Sequence, residues 1–211
     1  MRSKLIVLAV FVAVPAALLA GCTSTTGGAA SPAPSASAAA GTSSADPDVP
    51  KVAHPLDAGK YATDPCGLVP KDLLATLRYT DAGEPHQAGD TPLTKAGPSC
   101  AWKIQGEGIG AQVILGTGNR DNGAGGLAGQ YAAYRSGKVV RFLERAPDVE
   151  GYPAIYFDAA DERSMGTCTM AVGIADDLSF SVQAQGYQGQ DDSCGTATQL
   201  SAAVIKTLQG A

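Results

Sequence analysis

Residues 167–185 read Thr167-Cys168-Thr169-Met170-Ala171-Val172-Gly173-Ile174-Ala175-Asp176-Asp177-Leu178-Ser179-Phe180-Ser181-Val182-Gln183-Ala184-Gln185. Met170, Val172 and Ile174 alternate with small or polar residues, and Phe180, Val182 and Ala184 repeat the pattern. An apolar period of two marks a strand with one buried face. The polar link Ala175-Asp176-Asp177-Leu178 is too short for a crossover, so strands 167–174 and 179–185 form an antiparallel hairpin.

Outward from that hairpin, 139–144 and 154–158 read as two preceding strands. Residues 99–105 and 111–117 form another pair around a glycine-rich turn at 106–110. A helix over 70–77 opens on Pro70, with Leu73, Leu74 and Leu77 on one face. A polar, glycine-rich loop at 116–126 leads into a helix over 126–136, where Leu127, Tyr131 and Tyr134 make a stripe. A last helix over 194–209 lines up Ala197, Leu200, Val204 and Leu208, with Asp192 and Ser193 as N-cap candidates and Gly210 as its stop. Short neighbouring strands with few helical crossovers favour an antiparallel sheet. The predicted architecture is α+β, a two-layer sandwich of a mostly antiparallel sheet with about three helices packed on one face.

The chain has 211 residues, 45% of them hydrophobic and 17% charged, with a net charge of −5. That suits one domain with a tail and disfavours a nucleic-acid partner, which requires a basic face. Arg2 and Lys4 precede an apolar run from Leu5 to Leu19, interrupted by Pro15, and then Leu19-Ala20-Gly21-Cys22. A positive start, a short apolar stretch and small residues before a cut describe an export signal over residues 1–21. Its end resembles the bacterial lipobox, which implies that the Cys22 thiol receives a diacylglyceryl group and tethers the chain to the outer face of the cell membrane. Loss of Arg2 and Lys4 takes the mature chain to about −7. From Thr23 to Pro50, Ala, Ser, Thr, Pro and Gly supply 25 of 28 residues. With so little apolar bulk, this composition reads as a flexible tether. The expected division is a signal at 1–21, lipidated Cys22 and tether over 22–58, and one globular extracytoplasmic domain over 59–211.

Cys66, Cys100, Cys168 and Cys194 remain, an even number in an exported domain, with three possible pairings. Cys168 opens a strand whose hairpin partner ends near Gly186, and Cys194 follows a few residues later, so those two sulfurs return to one end of the sheet. Cys66 at a helix start is left for Cys100 at a strand start. No close C-x₂₋₄-C pair exists, which disfavours zinc.

Catalytic constellations are sparse. His54 falls in the tether and His86 in a turn-rich stretch, and neither neighbours a nucleophile. Gly123-Ala124-Gly125-Gly126-Leu127-Ala128 fits a dinucleotide fingerprint in letters, with Glu144 at the acidic position, but does not directly follow a strand. Asp158, Asp161 and Glu162, Asp176 and Asp177, and Asp191 and Asp192 fall at turns or a helix start, where Asp is locally favoured. Trp102, two residues after Cys100, shares its strand face and is expected to pack on the disulfide. Trp102, Tyr131, Tyr134 and Tyr152 are the candidates for lining a ligand groove. No cofactor and no metal site is expected.

Asp64-Pro65-Cys66, Cys100-Ala101-Trp102, Gly151-Tyr152-Pro153-Ala154, Cys168 in a strand and Cys194 opening the final helix follow one another in order. With the lipobox and tether, this resembles a family of small actinobacterial lipoproteins defined by a domain of unknown function, over about Asp64 to Leu208. The resemblance implies an envelope lipoprotein with two disulfides and brings no catalytic residues. The expected function is a non-enzymatic binding or interaction module. The alternatives are a carboxylate-dependent envelope hydrolase using Asp158, Asp161 or Glu162, and a purely structural lipoprotein. If the lipobox reading is right, mass spectrometry of the mature chain finds Cys22 at its N-terminus carrying diacylglycerol. Cys22→Ser then moves the protein from the membrane fraction to the soluble one.

Overall fold

The computed structural model describes residues 46–90 and 92–210. The signal, Cys22 and the tether as far as residue 45 lie outside the described residues. Seven strands form a single sheet: β1 (Glu84–His86), β2 (Ser99–Ile104), β3 (Ile109–Leu115), β4 (Phe142–Val149), β5 (Tyr152–Asp158), β6 (Cys168–Ala175) and β7 (Leu178–Gln185). Their order is β1-β2-β3-β7-β6-β5-β4, and every neighbouring pair is antiparallel. Two meanders, β1–β3 and β4–β7, are therefore joined where β7 pairs with β3. The expected hairpin is present, with Met170 opposite Val182 and Val172 opposite Phe180.

Four helices occur among the described residues: α1 (Lys71–Thr76), α2 (Thr117–Asp121), α3 (Gly126–Ser136) and α4 (Gln190–Gln209). The α+β antiparallel architecture is as predicted, but the helices do not share one face. Cys100, Trp102, Val113, Met170, Val172 and Val182 follow one another across the registers on one face of the sheet. There they pack with Ala197, Leu200, Val204 and Ile205 of α4 and with Leu68, Leu74 and Tyr79 near α1. The alternate residues Ile155 and Ala171 meet Leu127 and Tyr131 of α3 on the opposite face. Gly173 lies on that second face, where an added Cβ would stand 3.2 Å from Leu127 and Val52. The chain leaving β3 must reach β4 at the far edge, and α3 makes that crossing over the side that α4 leaves open.

Other boundaries differ for local reasons. The loop expected at 116–126 contains α2. The strand expected at 139–144 runs instead over Phe142–Val149, after the left-handed Gly137 that ends α3. Its Pro147 is tolerated because β4 is an edge strand with a register shift between Ala146 and Val149. His86 belongs to β1, a short edge strand carrying Pro85, rather than to a turn. Helix α4 begins at Gln190 from Gly189, so Asp192 and Ser193 are inside it rather than capping it. Asp191 and Asp192 occupy its first turn, where carboxylates complement the helix dipole.

The packed chain also begins earlier than the expected tether boundary at 58. Asp46 pairs with Arg135 near the end of α3. Val49 joins the α3 cluster, the Val52 amide donates to Asp176 Oδ1 at 3.2 Å, and the Leu56 amide donates to the Ile174 carbonyl at 2.8 Å. Residues 46–52 thus run beside α3 from its C-terminal end toward its start.

Both disulfides have the expected partners, Cys66–Cys100 and Cys168–Cys194. Cys100 and Cys168 are fully buried on the same sheet face. One bond clamps the 3-10 turn Pro65–Leu68 over β2, and the other clamps α4 over β6. Closing loops of this size contributes roughly 3–4 kcal/mol each in the chain-entropy picture. Urea unfolding of Cys168→Ala/Cys194→Ala is expected to show a loss of about that size with the native Trp102 emission retained before the transition. The Cys66→Ala/Cys100→Ala pair should red-shift that emission already in the absence of urea.

Candidate functional site

The site follows from how the first clamp is built. Asp64 caps the Pro65–Leu68 turn, its Oδ1 accepting from the Gly67 amide at 3.3 Å. Pro70 then sets the extended backbone from which α1 begins. That helix is only six residues long and ends at Leu77. The chain turns through Arg78 in a left-handed conformation and reaches Tyr79. The Tyr79 hydroxyl lies 2.7 Å from that of Tyr187. Burial, reinforced by this hydrogen bond, pushes it well above the usual phenol range, so it remains protonated at neutral pH.

Asp81 fixes the next segment. Its Oδ1 accepts from the Gly83 amide and its Oδ2 from the Lys103 amide, both at 3.2 Å. The second bond satisfies a backbone donor of β2 beyond the three-residue pairing with β1. Gly83 has φ +79°, and an added Cβ would stand 2.5 Å from Trp102 Nε1 and 2.6 Å from Cys100 Sγ. Only a residue without a side chain passes over the indole and the disulfide at this distance.

Between α1 and this segment lies an open cleft of about 800 Å³. Val69, Pro70, Leu74, Tyr79 and Trp102 give it apolar walls, and Asp64, Lys71 and Asp81 supply charge. Its volume is within the range of small-molecule sites. Trp102 is 1% exposed, and its Nε1 has no hydrogen-bond partner among the described residues. A buried donor without an acceptor costs about 1–3 kcal/mol.

Trp102 therefore packs against the disulfide, as expected, and also lines the cleft. The other three groove candidates do not join it. Tyr131 packs under α3 on the opposite sheet face, Tyr134 is largely exposed, and Tyr152 lies in the main core without lining the cleft. Tyr79, Lys71, Asp81 and Gly83 were not singled out by the sequence. Gly83, two residues after an Asp and just before a strand, is the signal that marked a close approach.

The other groups singled out from the sequence lie apart from the cleft. Gly126 has φ +65°, and an added Cβ would lie 2.2 Å from the Asp176 carbonyl oxygen, so the glycine run lets α3 start against the β6–β7 turn. His54 is exposed, and His86 Nε2 lies 3.8 Å from Glu84. Asp158 Oδ2 accepts from Thr169 Oγ1 at 2.7 Å. Among the described residues no group of three His, Cys, Asp or Glu is placed to hold a metal. No described helix is long and apolar enough to cross a membrane.

Arg163 lies 4.5 Å from the Phe142 ring and 5.2 Å from that of Tyr156, and it pairs with Asp161 at 2.8 Å and Glu144 at 3.0 Å. The hydrogen bond from Arg163 holds the Asp161 carboxyl below the usual range, the reverse of what a general acid requires.

The fold and cleft define a disulfide-clamped α+β domain with a side pocket. The family model described as "Protein of unknown function (DUF3558)" matches residues 17–207, and the chain belongs to that family. Searches of the curated proteins and of the solved structures find no match.

The Asp161 pairing has a pH signature. Its folded-state pKa is depressed, so its stabilisation is complete above the unfolded value of about 4 and is lost as pH falls through the folded one. The stability gap between the native protein and Arg163→Met should be largest at neutral pH and narrow below about pH 4. A denaturation series across pH checks this, with a carboxyl titration expected to show Asp161 returning to the ordinary range in the variant.

Proposed function

We propose that the chain is a lipid-anchored, non-enzymatic binding module of the cell envelope, and that the cleft beside Trp102 is where it binds. The observation that carries the reading is the orphaned indole N–H beside an apolar cleft of ligand size. An acceptor that displaces the Gly83 segment lying over that donor removes a standing cost to the free protein. The ligand class that fits is a small amphipathic molecule, with an apolar body against Leu74 and Val69 and a carbonyl or carboxylate directed at Trp102. Lys71 at the rim favours an anionic end, while Asp64 and Asp81 favour a neutral or basic one alongside it. Anchoring through Cys22 would hold this site at the membrane surface.

Native mass spectrometry of the mature chain, exported through an oxidising compartment, tests the proposal. A stoichiometric extra mass is expected, and Ala75→Trp, an exposed α1 position lining the cleft, should remove it with the melting temperature within about 2 °C of the native value. A bound mass that survives Ala75→Trp would place the ligand elsewhere. A clean mass in envelope extract as well as in buffer would contradict a small-ligand module.

A further inference from the structure

The turn between α3 and β4 differs from the rest of the surface. Six residues in succession, Tyr134 to Val139, are exposed, and so is Arg141. Tyr134 is 41% and Val139 71% exposed, two of the three exposed large hydrophobics among the described residues. The third, Met165, follows Asp161 and Glu162 in an acidic stretch. In the sequence the charges beside Tyr134 and Val139 are basic, Arg135, Lys138 and Arg141, while across the sheet edge the Arg141 amide donates to the Asp158 carbonyl at 3.0 Å. Asp46 neutralises Arg135, while neither Lys138 nor Arg141 has an ion-pair partner among the described residues. In a chain of net charge −5, this is a local reversal of sign.

Helix-end electrostatics accounts for part of it, because cations near a helix C-terminus complement its dipole. It does not account for Arg141, four residues beyond Gly137, nor for leaving Val139 in water. The position of the turn adds the second argument. The Asp46–Arg135 pair brings the N-terminal side of the domain to this same end of α3, twenty-four residues from Cys22. Among the described residues Asp46 is the one nearest to Cys22 in the chain, and it is paired at the foot of this turn.

We infer that the α3–β4 turn is a membrane-docking tip that rests on an anionic lipid surface, with Lys138 and Arg141 at the headgroups and Val139 and Tyr134 entering the interface. Basic residues near an anionic leaflet contribute about 1 kcal/mol each. Two of them do not bind a free protein, but they orient one that is already tethered. Docking in this way turns the domain from freely tumbling to oriented. The inference rests on the anchoring reading for its biological setting; its test supplies the anchor chemically.

The chain from Cys22 onward is produced without its lipid, and with the other four cysteines in disulfides Cys22 is the cysteine left for coupling. It is coupled to a maleimide lipid in vesicles containing bromine-labelled acyl chains. Val139→Trp reports on the tip. Asp121→Trp, exposed in α2 near the start of α3, is the control. Trp102, buried in both, is a constant background. On vesicles with about 30 mol % phosphatidylglycerol, Val139→Trp should be quenched at least about twofold more than Asp121→Trp. The difference should vanish on pure phosphatidylcholine, in about 0.5 M salt, or on adding Lys138→Glu/Arg141→Glu. Equal quenching of the two reporters, or quenching that survives charge reversal, overturns the inference. Either result leaves the natural modification of Cys22 to be judged by the mass of the mature N-terminus.

Discussion

Both disulfides begin on the same face of one sheet. Cys100 and Cys168 point to the side that carries Val113, Val182 and Met170, and each reaches up to a different covering piece. One holds a short 3-10 turn and the other a twenty-residue helix. The two pieces have very different resources. Helix α4 buries Ala197, Leu200, Val204 and Ile205 and would pack on hydrophobicity alone. The N-terminal piece has a six-residue helix that is too short to be stable by itself, so its place over β2 depends on Cys66 together with the buried Leu68, Leu74 and Tyr79.

That difference in cover produces the cleft. A long helix seals β6 and β7, whereas a clamped turn and a stub of helix leave a gap beside Trp102. Gly83 and Asp81 then close one side by backbone proximity rather than by bulk. The result is a pocket with a floor of disulfide, indole and sheet, under a short cover that reaches the core through Leu68, Leu74 and Tyr79. The opposite face works otherwise. There α3 and residues 46–52 cover the β4–β6 half, and Gln112 and Gln183 on the remainder donate to Ser99 and Thr169. That surface satisfies its own polar groups and offers little to a ligand.

How much of this was legible in the sequence divides along the same line. The hairpin at 167–185, the Leu127 and Tyr131 part of the α3 stripe and the disulfide pairing are readable because period and return geometry are local properties, whereas Tyr134 of the same stripe is exposed. The side of the sheet that α3 covers is not readable, since it is set by where the crossover from β3 to β4 must travel. Strand β4 was misplaced because Pro147 breaks the pattern and its tolerance depends on an edge position fixed only by the sheet order. Among the site residues, Trp102 was legible through its spacing from Cys100. Tyr131, Tyr134 and Tyr152 share only residue type with it: Tyr131 lies under α3 on the other sheet face, Tyr134 is exposed, and Tyr152 is in the core away from the cleft. Tyr79 and Gly83 become neighbours of Trp102 only once the disulfide has folded the N-terminal piece back.

In the proposed binding mode the Trp102 N–H receives an acceptor from a ligand. Trp102 is the single tryptophan, so a ¹⁵N-labelled mature chain gives one indole cross-peak in a proton–nitrogen spectrum. On titration with fractionated envelope extract, the account predicts that this peak moves downfield together with amides of Lys71, Ala75 and Asp81. An indole peak that stays fixed while binding shifts amides elsewhere would contradict it.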